Sequence, residues 1–115
     1  QPTIIEGLTN STKTNQEEIF GPVVTLIPFD KEEDAVQIAN ESDYGLSATI
    51  WTENEEKANR VSNQVEAGVI WVNCWLVRDL RTPFGGMKQS GMGREGGSEA
   101  LRFFTEQKNV CTSTG

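Results

Sequence analysis

The chain has 115 residues, 36% of them hydrophobic, with a net charge of -7 and a sequence pI near 4.5. It is long enough for one small domain that hides roughly two thirds of its extended surface, though it need not be a complete protein. Its acidity argues against nucleic acid, which needs clustered Lys and Arg, and neither a membrane-length apolar run nor a signal peptide is present, so the expectation is a soluble cytoplasmic chain.

In chain order, residues 9 to 16 are polar and read as an exposed loop. Val23 to Phe29 is a nearly continuous apolar, β-branched run of buried-strand length, with Pro28 at its end. Asp30 with Glu33 predicts a capping box for a helix that puts Val36 and Ala39 on one face and stops near Asp43-Tyr44-Gly45. Leu46 to Trp51 is again strand-like. Thr52 with Glu55 repeats the capping pattern before Ala58, Val61 and Val65, and Ala67-Gly68 is placed at the end of that helix. Val69 to Asn73 supplies another strand. Ser98 is expected to cap a last helix with Leu101, Phe103 and Phe104 inward, and Asn109 to Ser113 a final strand. Strands alternating with helices indicate α/β architecture, with parallel strands joined by crossover helices.

The chain has no histidine, which removes Ser-His-Asp and Cys-His nucleophiles and most transition-metal sites. Cys74 and Cys111 lack C-x-x-C spacing and are expected to be free, buried thiols. The run Thr82 to Gly97 holds six of the eleven glycines. Within it Gly91, Gly93 and Gly96 match G-x-G-x-x-G, but no strand directly precedes them and the sequence given ends before an acidic ribose ligand would come. Lys88 likewise lacks P-loop spacing. The run therefore reads as a packed connection across the end of the sheet, with Arg94 and Glu95 paired to neighbours and Phe84 at its entrance facing a ligand.

Three motifs occur in order: Glu17-Glu18-Ile19-Phe20-Gly21-Pro22, then Tyr44-Gly45-Leu46-Ser47-Ala48, then Gly68 to Cys74 leading to Pro83-Phe84-Gly85-Gly86-Met87-Lys88-Gln89-Ser90-Gly91. Together they resemble the C-terminal part of the aldehyde dehydrogenase superfamily, over nearly the whole chain. The resemblance implies that residues 1–108 belong to the catalytic domain of such an enzyme and 109–115 to a terminal strand of its oligomerisation region. It also implies that Glu18 and Phe20 contact a nicotinamide cofactor, NAD or NADP. A carboxylate can accept hydrogen bonds from both ribose hydroxyls, and an aromatic face can hold the nicotinamide end.

The segment after Asn73 lines the aldehyde pocket in relatives. Here it reads Cys74-Trp75-Leu76-Val77-Arg78-Asp79-Leu80-Arg81-Thr82, and it resembles the branch that oxidises 2-aminomuconic and 2-hydroxymuconic semialdehydes, carboxylated intermediates of aromatic-ring breakdown. A guanidinium can grip such a carboxylate with two parallel bonds, and Arg78 is preferred to Arg81 for that role. Pairing of Arg78 with Asp79 at the surface is the alternative, and Trp75 and Phe84 would supply apolar wall. The resemblance places the family's catalytic cysteine and glutamate in other motifs, so no catalytic residue is assigned and the chain alone is expected to be inactive. A different class of reading is a stand-alone interaction module derived from such an enzyme, its terminal strand pairing with another subunit.

Overall fold

The computed structural model describes residues 1–115. Its elements are β1 (Thr3–Glu6), α1 (Lys13–Gln16), β2 (Val23–Leu26), α2 (Glu32–Asn40), β3 (Tyr44–Gly45), β4 (Ser47–Ile50), α3 (Glu55–Gln64), β5 (Val69–Val72), β6 (Met87–Lys88) and α4 (Gly97–Phe104). β1 and β2 pair in parallel with Thr3 opposite Val23, and β4 and β5 pair in parallel with Ser47 opposite Val69. α3 is the crossover between β4 and β5, so the expected α/β pattern of parallel strands and crossover helices is present. β3 and β6 form a short antiparallel pair, and the three two-stranded ladders are not joined into one sheet.

Several local expectations shift. β1 was not foreseen, and the polar stretch read as loop contains the single turn α1. β2 stops at Leu26, two residues before Pro28, which has no N–H to donate to a ladder. Asp30 does not cap α2. The N-cap is Lys31, without a side-chain bond, and Glu32, Glu33 and Asp34 place negative charge on the helix's positive end instead. For α3 the cap is Asn54, whose Oδ1 accepts from the Lys57 N–H at 2.8 Å, while Thr52 Oγ1 accepts from the Asn54 N–H at 3.2 Å. The cap has moved two residues, because the Thr52 backbone is still engaged with the Asn73 side chain just past β5.

Gly68 does not end a helix either. α3 finishes at Gln64, where the Asn40 side chain donates to the Gln64 carbonyl and accepts from the Glu66 N–H, both at 2.8 Å. Gly68 is required for space: a Cβ there would land on the carbonyl of Gly85. The helix α4 begins from Gly96 (φ 87°) and not from a Ser98 cap, and Leu101, Phe103 and Phe104 are exposed, with no buried residue on the helix. Asn109 to Ser113 forms no strand.

The core is small. Val36, Ala58, Ala67 and Trp71 are its buried apolar side chains, held where α2 and α3 cover β4 and β5. Arg60 on α3 clamps Glu32 on α2 with a two-bond fork, Nε to Oε1 at 2.6 Å and Nη2 to Oε2 at 2.8 Å. The accessible surface is 9270 Å². A closed 12.7 kDa fold would expose about 6,200 Å², so the chain hides about half of its extended surface and not the two thirds expected. No helix is long and apolar enough to cross a membrane.

Candidate functional site

Glu18 and Phe20 lie between α1 and β2. Glu17 closes α1 and pairs with Lys13 at 3.5 Å, which leaves Glu18 as the carboxylate of the pair without a partner. Phe20 takes a left-handed backbone (φ 53°) and is 92% exposed, so its ring is carried outward. Two open depressions meet at Glu18. One, about 570 Å³, runs along Phe20, Gly21, Val23 and Thr25, and the other, about 490 Å³, reaches Ser42, Tyr44, Gln89 and Ser90. The middle of the glycine run, at Gln89 and Ser90, thus shares a wall with the candidate cofactor residue. Ser90, which sequence reasoning passed over, secures that wall by accepting from the Gly45 N–H at 2.9 Å.

The pocket segment leaves β5 at Asn73, also left-handed (φ 52°). The Asn73 side chain accepts from the Thr52 N–H at 2.9 Å and donates to the Thr52 carbonyl at 2.8 Å, extending the β4–β5 ladder by one side-chain rung. Trp71 Nε1 donates to the Val77 carbonyl at 2.8 Å, folding the segment back over the core. The backbone is left-handed again at Leu76 (φ 55°), a conformation that costs a branched side chain about 1–2 kcal/mol. Cys74 is free and partly buried, but Cys111 is exposed, which corrects the expectation that both thiols are buried.

The two arginines separate. Arg81 grips Asp79 on both oxygens and through its backbone N–H, and these bonds hold the Asp79 carboxyl below its ordinary value. Arg78 instead pairs through Nη2 with Glu95 Oε1, and its guanidinium lies 4.2 Å from the centre of the Phe84 ring. The alternative pairing of Arg78 with Asp79 is therefore not the one formed. Arg94 turns the other way, donating Nη1 to the carbonyls of Gly86 and Gly93. Arg94 and Glu95 both find neighbours, as expected. Trp75 is 69% exposed and lies outside the depression, about 350 Å³, that Phe84, Glu95 and Phe103 help to line.

Residues 1–110 match the aldehyde dehydrogenase family. The chain belongs to that family. It is 60% identical over 111 residues to a 2-hydroxymuconic semialdehyde dehydrogenase of Pseudomonas sp. (strain CF600), covering 96% of this chain and 23% of the relative. It is 55% identical over 109 residues to a 2-aminomuconic semialdehyde dehydrogenase of Danio rerio, covering 95% and 22%. Among solved structures, the NAD+ complex of an aldehyde dehydrogenase from Bacillus cereus superimposes with a TM-score of 0.91 at 43% identity, over 100% of this chain and 23% of that one. The chain thus spans less than a quarter of the length of the aldehyde dehydrogenases it matches.

Within this aldehyde dehydrogenase segment, the residues present fit a nicotinamide ribose. An acidic side chain without a protein partner stands next to an outward-facing aromatic ring, at the junction of two open depressions. Arg78 and Phe84 are brought together, Glu95 joins them, and Trp75 does not. Nothing in the sequence pointed to Glu95 as the partner of Arg78, because the two are 17 residues apart and meet only through the fold of the glycine run.

Proposed function

We propose that this chain provides the nicotinamide-ribose contacts and part of the substrate pocket of an NAD-dependent dehydrogenase that oxidises a carboxylated semialdehyde, of the 2-hydroxymuconic or 2-aminomuconic type, to the acid. In this reading Glu18 accepts from the ribose hydroxyls, Phe20 lies against the nicotinamide end, and Phe84, with Trp75 at the outer rim, supplies apolar wall. Bound NAD would supply the hydride acceptor. Residues 109–115 are proposed as an oligomerisation strand that forms on pairing with another subunit. The names of the most similar relatives and the NAD+ complexes among the structural neighbours support the reading.

The observation that carries it is the unequal commitment of the two arginines. Arg81 is neutralised by both oxygens of Asp79, whereas Arg78 spends one nitrogen on Glu95 and keeps its remaining donors over an aromatic face. That is the arrangement needed to take a carboxylate, because a guanidinium can bind two of them along different edges. In a dehydrogenase carrying this segment, Arg78→Ala is expected to lower kcat/KM for the carboxylated semialdehyde by on the order of 10- to 100-fold more than for an uncharged aldehyde. Equal losses on both substrates would reject Arg78 as the anchor.

A further inference from the structure

We infer that Glu95 sets the selectivity of the carboxylate site, by fixing the Arg78 guanidinium on one edge and opposing an incoming anion with its own charge. The inference rests on the reading of Arg78 just given. It begins from a backbone feature. Phe84 and Glu95 form an isolated antiparallel bridge in which each N–H donates to the other's carbonyl, at 2.7 and 2.8 Å. Residues that exchange both bonds across such a bridge carry their side chains on the same face. The bridge therefore builds a two-sided seat, with a ring on one side and a carboxylate on the other. Arg78 occupies that seat, over the Phe84 ring and bonded to Glu95 Oε1.

Two consequences follow for a ligand. The ring and the single bond to Glu95 Oε1 both restrain the guanidinium, and its other N–H donors are left to a substrate. The carboxylate of Glu95 is also the negative charge bonded to Arg78. Asp79 is bonded to Arg81, and Arg94 is turned toward the Gly86 and Gly93 carbonyls. A carboxylated substrate thus gains the attraction of Arg78 and meets repulsion from Glu95, while an uncharged aldehyde meets neither. Both side chains of the pair are partly in water, which moderates the two terms without cancelling them.

The test uses the whole dehydrogenase that carries this segment and the ratio of kcat/KM for a carboxylated semialdehyde to that for an uncharged aliphatic aldehyde. A ratio removes losses common to both substrates. Glu95→Gln keeps the size, an acceptor oxygen and the backbone bridge but removes the charge. It is expected to raise the ratio about threefold to tenfold, through KM for the carboxylated substrate. Glu95→Asp keeps the charge and is expected to leave the ratio within about twofold of the parent. An unchanged or lower ratio for Glu95→Gln, or an equal rise for Glu95→Asp, would overturn the inference. Arg78→Ala is measured in parallel. If it is selective while Glu95→Gln is not, the role of Glu95 fails alone; if it shifts both substrates equally, the carboxylate site itself fails.

Discussion

Four residues other than glycine hold a left-handed backbone, Phe20, Asn73, Leu76 and Lys88, at φ between 52° and 55°. Each costs about 1–2 kcal/mol, so it persists only where something offsets it. For Asn73 the offset is the pair of bonds to Thr52. Lys88 has an equivalent in its Nζ, which donates to the carbonyls of Asn40 and Ser42 and pairs with Glu66 at 2.8 Å. The ring of Phe20 gains no such compensation from the chain, being 92% exposed. Glu18, two residues earlier, stands in the same position as a carboxylate without a partner. In a dehydrogenase carrying this segment, Glu18→Gln is expected to slow single-turnover hydride transfer about tenfold, since an amide holds two hydroxyls less firmly than a carboxylate does. Unchanged hydride kinetics would count against the cofactor assignment. Glu18, Phe20, Arg78 and Phe84 were legible as candidates from their motifs. Glu95 was not, because its importance comes from the bridge to Phe84.

At the scale of elements, α2 and α3 are tied by the fork between Arg60 and Glu32 and by the Asn40 bonds to Gln64 and Glu66. The Arg60 guanidinium holds the Glu32 carboxyl below its ordinary value of 4.5. Asn10 and Gln37 lower Glu41 in the same direction by hydrogen bonding, which links the segment after β1 to the end of α2. A depressed acid stabilises the folded chain at pH values above its unfolded value and loses that contribution as pH falls through its folded value. Protection of the α2 and α3 amides from hydrogen exchange, corrected for intrinsic rates, is thus expected to hold from neutral pH down to about 4.5 and decline below it. Glu32→Gln should lower the plateau and flatten the decline; an identical pH profile in the variant would remove the ion pair from the account. The helices themselves were readable from their apolar spacing. Their caps were not, because Asp30 and Thr52 satisfied the local pattern while the helices start at Glu32, after an N-cap without a side-chain bond, and at Glu55, after Asn54.

The whole molecule is extended. Its radius of gyration is 19.1 Å, where a closed fold of this length would have about 13 Å, and its extents are 76 × 33 × 24 Å. Trp51, Leu101, Phe104 and Val110 are exposed, and a groove of about 520 Å³ between α2, β4 and α3 is lined by Phe29, Val36, Ile50 and Val61. Exposed apolar side chains and an open apolar groove are what a surface made for association presents. Residues 1–115 alone are therefore expected to bind a hydrophobic dye, and to show a radius of gyration well above about 13 Å in solution scattering. A compact particle with no dye binding would show that the chain closes its own core.

The sequence by itself determined the family, the α/β pattern and the motifs that carry the cofactor and substrate candidates, because these depend on residue type and spacing along one chain. The tertiary structure decided the partner of Arg78, the left-handed setting of Phe20, the positions of the caps and the absence of a terminal strand. Those outcomes depend on which groups remain unpaired once the backbone is placed, and spacing does not record that. The glycine run shows both kinds of information. Its composition announced a close approach of backbone to something, and the fold showed that something to be the chain itself, with Gly85 lying against Gly68 and Glu95 drawn across to Phe84.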